Sequence, residues 1–188
     1  MLTPSSRTRL TLFAAVAALV LAGCDRDEAA EKAAAQEAAA AAQANALVAQ
    51  HLAVFDTLDF QVFSHQQWDR LGESHATDII VTWPDGHETH GLAQHIEDLK
   101  AMFVYAPNIS ITEHPIRFGQ GEWTAVQGFM TGTFSQPMPI GNGKTIPPTG
   151  KSFKLNMATI GHWTNGKMDH EWLFWDSQDF MKQLGLAK

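Results

Sequence analysis

Thr164-Asn165-Gly166-Lys167-Met168-Asp169-His170-Glu171-Trp172-Leu173-Phe174-Trp175-Asp176 reads as the turn and returning strand of a β-hairpin. Asn-Gly accepts the positive φ angles of a tight type I′ turn, and the run at 151–163 supplies the partner strand. Strand period 2 places His170, Trp172, Phe174 and Asp176 on one face, with Glu171, Leu173 and Trp175 on the other.

Working back from the hairpin, 123–135 and 109–118 also read as strands, separated by Gly119-Gln120-Gly121 and by a long Pro/Gly loop. Further upstream, Leu92, Ile96, Leu99 and Phe103 share one face of a helix over 91–103. A strand over 78–83 closes on the turn Pro84-Asp85-Gly86. Leu47, Val48, His51, Leu52, Val54, Phe55, Leu58, Val62 and Phe63 recur at helical spacing, and a short second helix is expected near 66–72. A closing helix is expected over 179–184. Helices followed by a curved antiparallel sheet make an α+β architecture.

The N-terminus reads as targeting sequence. Arg7 and Arg9 precede an apolar stretch, Leu10 to Leu21, that is too short for a permanent span. It ends in Leu21-Ala22-Gly23-Cys24, which resembles a bacterial lipobox, and Cys24 is the only cysteine in the chain. The expected organisation is a lipoprotein signal peptide over 1–23, a lipidated Cys24, an alanine-rich tether over 24–45 and a single domain over 46–188. Alanine favours helix, but the tether has almost nothing to bury, so it reads as a semi-rigid spacer. The expected location is the cell envelope: anchored to a membrane by acyl chains and facing the periplasm, with inner and outer membrane both open.

The formal charge is -7, from 13 Lys plus Arg against 20 Asp plus Glu. Cleavage before Cys24 removes Arg7 and Arg9, leaving 11 against 20 and a charge of -9. This balance argues against nucleic acid as a partner. Gly143-Lys144-Thr145 and Gly150-Lys151-Ser152 lack the leading glycine of a P-loop, with Met138 and Thr145 standing there. His87-Glu88-Thr89-His90 has the wrong spacing for a zincin, and no Gly-x-Ser-x-Gly is present. None of the nine histidines forms a pair with clear ligand spacing, so no metal is expected. His75 and Asp78 fit either the mouth of a pocket or a turn.

Gly132-Thr133, Ile146-Pro147-Pro148-Thr149-Gly150-Lys151-Ser152-Phe153, Gly166-Lys167-Met168 with Glu171-Trp172 and Asp176, and Gln183-Leu184-Gly185-Leu186 together resemble segments of the SnoaL-like polyketide cyclases and related ester cyclases. The likeness covers roughly 47–186. It implies an NTF2-like cone: N-terminal helices packed in a strongly curved, mostly antiparallel sheet, with an apolar pocket and a homodimer through the sheet's outer face. Two features depart from the family: Phe134 stands where many members carry a histidine after Gly-Thr, and the loop over 136–145 is longer.

The resemblance makes Asp176 the acid/base residue acting on a carbonyl compound, and its rival role is the N-cap of the closing helix. His170, on the same face, is a second proton carrier or a residue of the hairpin end. Trp83, Phe103, Gln127, Phe129, Thr131, Trp172 and Phe174 are the expected pocket residues. Three functions fit: a cyclase or isomerase acting without a cofactor, a binder of a small hydrophobic molecule, and an envelope scaffold.

Overall fold

The computed structural model describes residues 10–188, with side chains from Glu28 onward. Residues 1–9 and the Cys24 side chain, on which the lipidation reading turns, lie outside the described residues. Among the described residues no helix is long and apolar enough to cross a membrane. Contacts divide the chain into two units, Met1–Ala44 and Asn45–Lys188.

Helix α1 (Leu10–Thr57) supplies the first unit, where every side chain from Glu28 to Ala44 is exposed. From Asn45 onward α1 belongs to the second unit and gains an apolar stripe, with His51 and Phe55 buried four residues apart and Leu58, just past its end, three further on. The helix then widens into a π-helical turn, Leu58–Phe63, followed by a 3₁₀ turn, Trp68–Glu73.

Strands β1 (His75–Thr82) and β2 (Glu88–His90) are followed by α2 (Leu92–Tyr105), β3 (Ser110–Ile111), β4 (Ile116–Gln120) and β5 (Trp123–Thr133). The expected strand over 109–118 is thus two pieces, because Pro115 cannot donate to the ladder. A small hairpin, β6 (Met138–Pro139) and β7 (Thr145–Ile146), fills the long loop before β8 (Ser152–Thr164), β9 (Lys167–Trp175) and α3 (Ser177–Gln183). The main sheet runs β2-β1-β9-β8-β5-β3, with β4 also on β5; β1 and β9 are parallel and the other pairs antiparallel. This is the mixed, curved and unclosed sheet of an NTF2-like fold.

The Asn165-Gly166 turn has the expected positive φ values, 52° and 76°. Two motifs at opposite ends of the last third meet in space. Thr149 Oγ1 donates to the Leu184 carbonyl at 2.7 Å, and the Gln183 side chain accepts from the Lys154 N–H at 2.8 Å. Leu184 is thereby fully buried, so Ile146–Phe153 and Gln183–Leu186 form one packing unit.

Candidate functional site

The concave face of the sheet is covered by the π-helical turn and α2, leaving a pocket between them. It contains about 480 Å³ of space not filled by protein atoms, part of it open to solvent. Met130, Met157 and Leu173 from the sheet meet Leu58 and Phe63 from the turn and Leu99 and Met102 from α2. These walls are apolar, which suits a small hydrophobic ligand. Trp83 and Trp175 meet edge to face at 6.1 Å between ring centres. Trp83 is fixed by donating Nε1–H to Thr89 Oγ1 at 2.9 Å, and Thr89 in turn donates to Asp98 at 2.6 Å.

Four titratable side chains enter this apolar space: Asp59, His75, His95 and Glu171. Glu171 comes from the inward face of β9, His75 from the start of β1 and His95 from the buried stripe His95, Leu99, Phe103 of α2. Glu171 Oε2 lies 3.6 Å from the Nε2 atoms of both histidines. All three residues are at most 5 % exposed. Burial pushes the Glu171 carboxyl up, but His75 and His95 facing it more than offset this and hold it below the usual glutamate value. Burial brings His95 down to about 4, so its ring is neutral at pH 7 and His75 is the main partner of the Glu171 anion.

Asp59 behaves oppositely. Burial raises its carboxyl above the usual aspartate value, against the pull of His114, and the charge of Glu171 adds to the rise. His114 is clamped between two aspartates, with Nε2 2.9 Å from Asp59 and Nδ1 2.8 Å from Asp56. Arg117 pairs with the same Asp56. Asp59 sits on the π-helical turn, a widened geometry that is rare and concentrated at functional sites. Two carboxyl groups in one pocket, one pushed up and one held down, are the arrangement that separates a proton donor from an anion.

The expected site residues divide between the two faces of the sheet. Trp83 lines the pocket, and Phe103 lies behind it, packed on Phe63 at 5.2 Å. Gln127, Phe129 and Thr131 point to the outer face, because Thr124, Val126, Gly128, Met130 and Gly132 take the inner one. There Gln127 donates to Asn156 at 2.5 Å, Phe129 lies 4.0 Å under the Lys154 ammonium, and Thr131 bonds to Ser110. Trp172 and Phe174 are on the outer face as well, Phe174 half exposed and Trp172 stacked on Trp123.

His170 does share a face with Trp172, as the strand period requires, but that face is the outer one. Its ring stacks on Trp172 with centres 3.6 Å apart, and Nε2 meets Thr82 Oγ1 at 3.1 Å. Asp176 is exposed and caps α3, accepting from the Asp179 N–H at 2.9 Å. The inner face of β9 is instead Glu171, Leu173 and Trp175. Asp169 decides the local phase: it is the extra residue of a bulge between the pairs Trp163–Met168 and His162–His170. Its carboxylate is held there by His162 and Thr164, each at 2.6 Å.

Replacing Asp176 by alanine is therefore expected to lower stability by about 1 kcal/mol, and Tm by roughly 2–4 °C. Occupancy of the pocket should be unchanged. Thermal melts beside ligand retention check this; a lost ligand at constant Tm would return Asp176 to the site.

Sheet, helices and pocket together define an NTF2-like cone with a polar cluster at its floor. The chain belongs to the SnoaL-like polyketide cyclase family, whose model matches residues 54–184. Solved structures agree in fold. A candidate SnoaL-like polyketide cyclase from Jannaschia sp. CCS1 is 17 % identical with a TM-score of 0.65, covering 76 % of this chain and 96 % of its own. IdmH, a candidate polyketide cyclase from Streptomyces antibioticus, is 19 % identical with a TM-score of 0.61, covering 72 % and 99 %. A candidate polyketide cyclase from Xanthomonas campestris is 13 % identical with a TM-score of 0.63, covering 73 % and 98 %. No curated protein matches the chain.

Proposed function

We propose that this protein binds a small, largely apolar carbonyl compound in the pocket and moves a proton on it, as a cyclase or isomerase does. The observation that carries the reading is the buried set Asp59, His75, His95 and Glu171 among apolar walls. Asp59, its carboxyl raised by burial, is the proton carrier, because an acid/base group works best when its pKa is moved towards the operating pH. Glu171, kept ionised, holds the imidazoles of His75 and His95 towards the ligand's oxygen. The non-catalytic alternative keeps the same pocket and ligand class without turnover.

The test is native mass spectrometry of the full chain purified from its host membranes. A co-purifying molecule with an acidic C–H beside a carbonyl supports the reading, and deuterium exchange at that position in D₂O measures the proton transfer. A retained molecule that never exchanges leaves the binder; an empty pocket removes both readings. The same spectrum reports the oligomeric state. A homodimer through the outer face is part of the proposal, since Ile116, Phe118, Trp123 and Phe174 expose apolar surface there. A single-chain mass at micromolar concentration would remove it.

The proposed location is the cell envelope, anchored through acyl chains on Cys24 and facing the periplasm. The motif Leu21-Ala22-Gly23-Cys24 supports it. Changing Cys24 to serine is expected to shift the protein from the membrane fraction to the soluble periplasmic fraction. Unchanged fractionation on immunoblots would count against the anchor.

A further inference from the structure

We propose that His75, His95 and Glu171 form a binding site for a divalent transition-metal ion of the zinc class at the floor of the pocket. The inference rests on reading that pocket as the reaction site, and it adds a Lewis acid to it. Two imidazoles and one carboxylate are a donor set that zinc and its neighbours accept, with further positions open to water or a ligand oxygen.

The geometry brings the donors together from three separate elements. One ligand atom from each residue lies within 4.8 Å of the others, and both histidine Nε2 atoms stand 3.6 Å from Glu171 Oε2. Ligand bonds of about 2.0–2.1 Å in a tetrahedral site imply donor separations of roughly 3.3 Å. Each histidine–carboxylate separation therefore needs to contract by only a few tenths of an ångström around an ion, and the two histidines, within 4.8 Å of each other, close the rest.

The second observation is the state of His75. Its Nδ1 lies 2.8 Å from Ser74 Oγ and 3.2 Å from the Leu71 carbonyl, while the Ser74 hydroxyl donates to that same carbonyl at 3.1 Å. Only an N–H at Nδ1 satisfies all three contacts. This is the outer hydrogen bonding that orients a metal-ligating histidine and fixes its tautomer. His75 Nε2 is buried, has no hydrogen-bond partner, and stands 3.6 Å from a carboxylate oxygen, beyond hydrogen-bonding reach. A buried ring nitrogen without a hydrogen-bond partner is costly in an apolar pocket. A divalent ion shared with His95 and Glu171 satisfies all three donors together.

A bound ion would polarise a ligand carbonyl and leave the proton to Asp59. Ser74 is then a positioning residue, acting only through the orientation of the His75 ring.

The full chain, stripped with EDTA in detergent, should bind one equivalent of Zn²⁺ by calorimetry. Co²⁺ should give the visible absorption of a low-symmetry site with nitrogen and oxygen ligands. Glu171→Gln, close in shape, should weaken Zn²⁺ binding at least tenfold and change the Co²⁺ spectrum. Ser74→Ala should weaken it by about tenfold, and His162→Ala on the outer face should leave it unchanged. Circular dichroism confirms that each variant is folded, and the wild-type Co²⁺ spectrum needs no variant. Absence of stoichiometric binding, or binding undiminished in folded Glu171→Gln, overturns the site. A chain that retains its exchanging ligand but binds no metal sinks this inference and leaves the proposed function standing. Metal binding at the cluster without any pocket ligand supports the site and removes the acid/base reading.

Discussion

Asp59→Asn is expected to slow proton exchange on the pocket ligand by about 10²–10⁴-fold, the usual contribution of a positioned acid/base group. Ligand retention should change little. Asparagine keeps the size of the side chain, and its carbonyl oxygen can still accept from His114 Nε2, so the π-helical turn stays closed. What it loses is the ability to exchange a proton. Asp59 is singled out because burial raises its carboxyl while Glu171, in the same pocket, is held low. Exchange rates followed by mass spectrometry at saturating ligand check this. A rate within threefold of wild type would remove Asp59 from the chemistry, and Asp176→Ala, at the cap of α3, supplies the control that should not slow. If both variants exchange normally, the pocket is a binding site alone.

The fold was legible because its signals are local. Asn165-Gly166 fixes a hairpin by backbone sterics, the stripe from His51 to Leu58 fixes a helix by its period, and the joined motifs around Phe153 and Leu184 belong to one packing unit. The site was less legible, and the reason is visible on β9. Period 2 correctly grouped His170 with Trp172 and Phe174, and Glu171 with Leu173 and Trp175. It could not say which group faces inward. Trp172 and Phe174 were expected at the pocket beside Asp176, which put the first group inside. Tertiary context reversed that: Trp123 stacks on Trp172 on the outer face, and two histidines from β1 and α2 receive Glu171 within. One signal pointed the right way. His95 stands four residues before Leu99 and eight before Phe103, squarely on the buried stripe of α2. A polar residue on an apolar stripe needs a partner inside. The phase of Asp59 had no such signal, since it depends on a π-helical turn that the residue pattern around it does not announce.

The clamp that holds Asp59 leads to the other large effect. His114 bridges Asp56 and Asp59, is only 2 % exposed in its side chain, and packs against Phe60 at 4.5 Å. Gly128 makes the room, because a Cβ there would stand 3.0 Å from the ring. His114→Ala leaves two acidic groups without their shared donor. Removing one member of a buried pair costs about 3–5 kcal/mol, and the loss here should be nearer 2–3 because the aspartates keep some contact with water. Tm should fall by roughly 5–10 °C. The size of the loss should depend on pH. Burial works against the imidazolium, but Asp59 and Asp56 outweigh it and raise the His114 pKa above the ordinary value. A group whose folded pKa is raised contributes fully below its unfolded pKa, about 6.5, and loses that contribution as pH climbs through the folded value. The gap in stability between wild type and His114→Ala should therefore be widest near pH 6 and narrow towards pH 9. Urea unfolding of both chains across that range measures it directly. A gap that stays flat with pH would mean that His114 holds the turn by packing on Phe55 and Phe60 rather than by charge. A gap that narrows while proton exchange falls in step would tie the clamp to the placement of Asp59, joining the stability of the turn to the chemistry of the pocket.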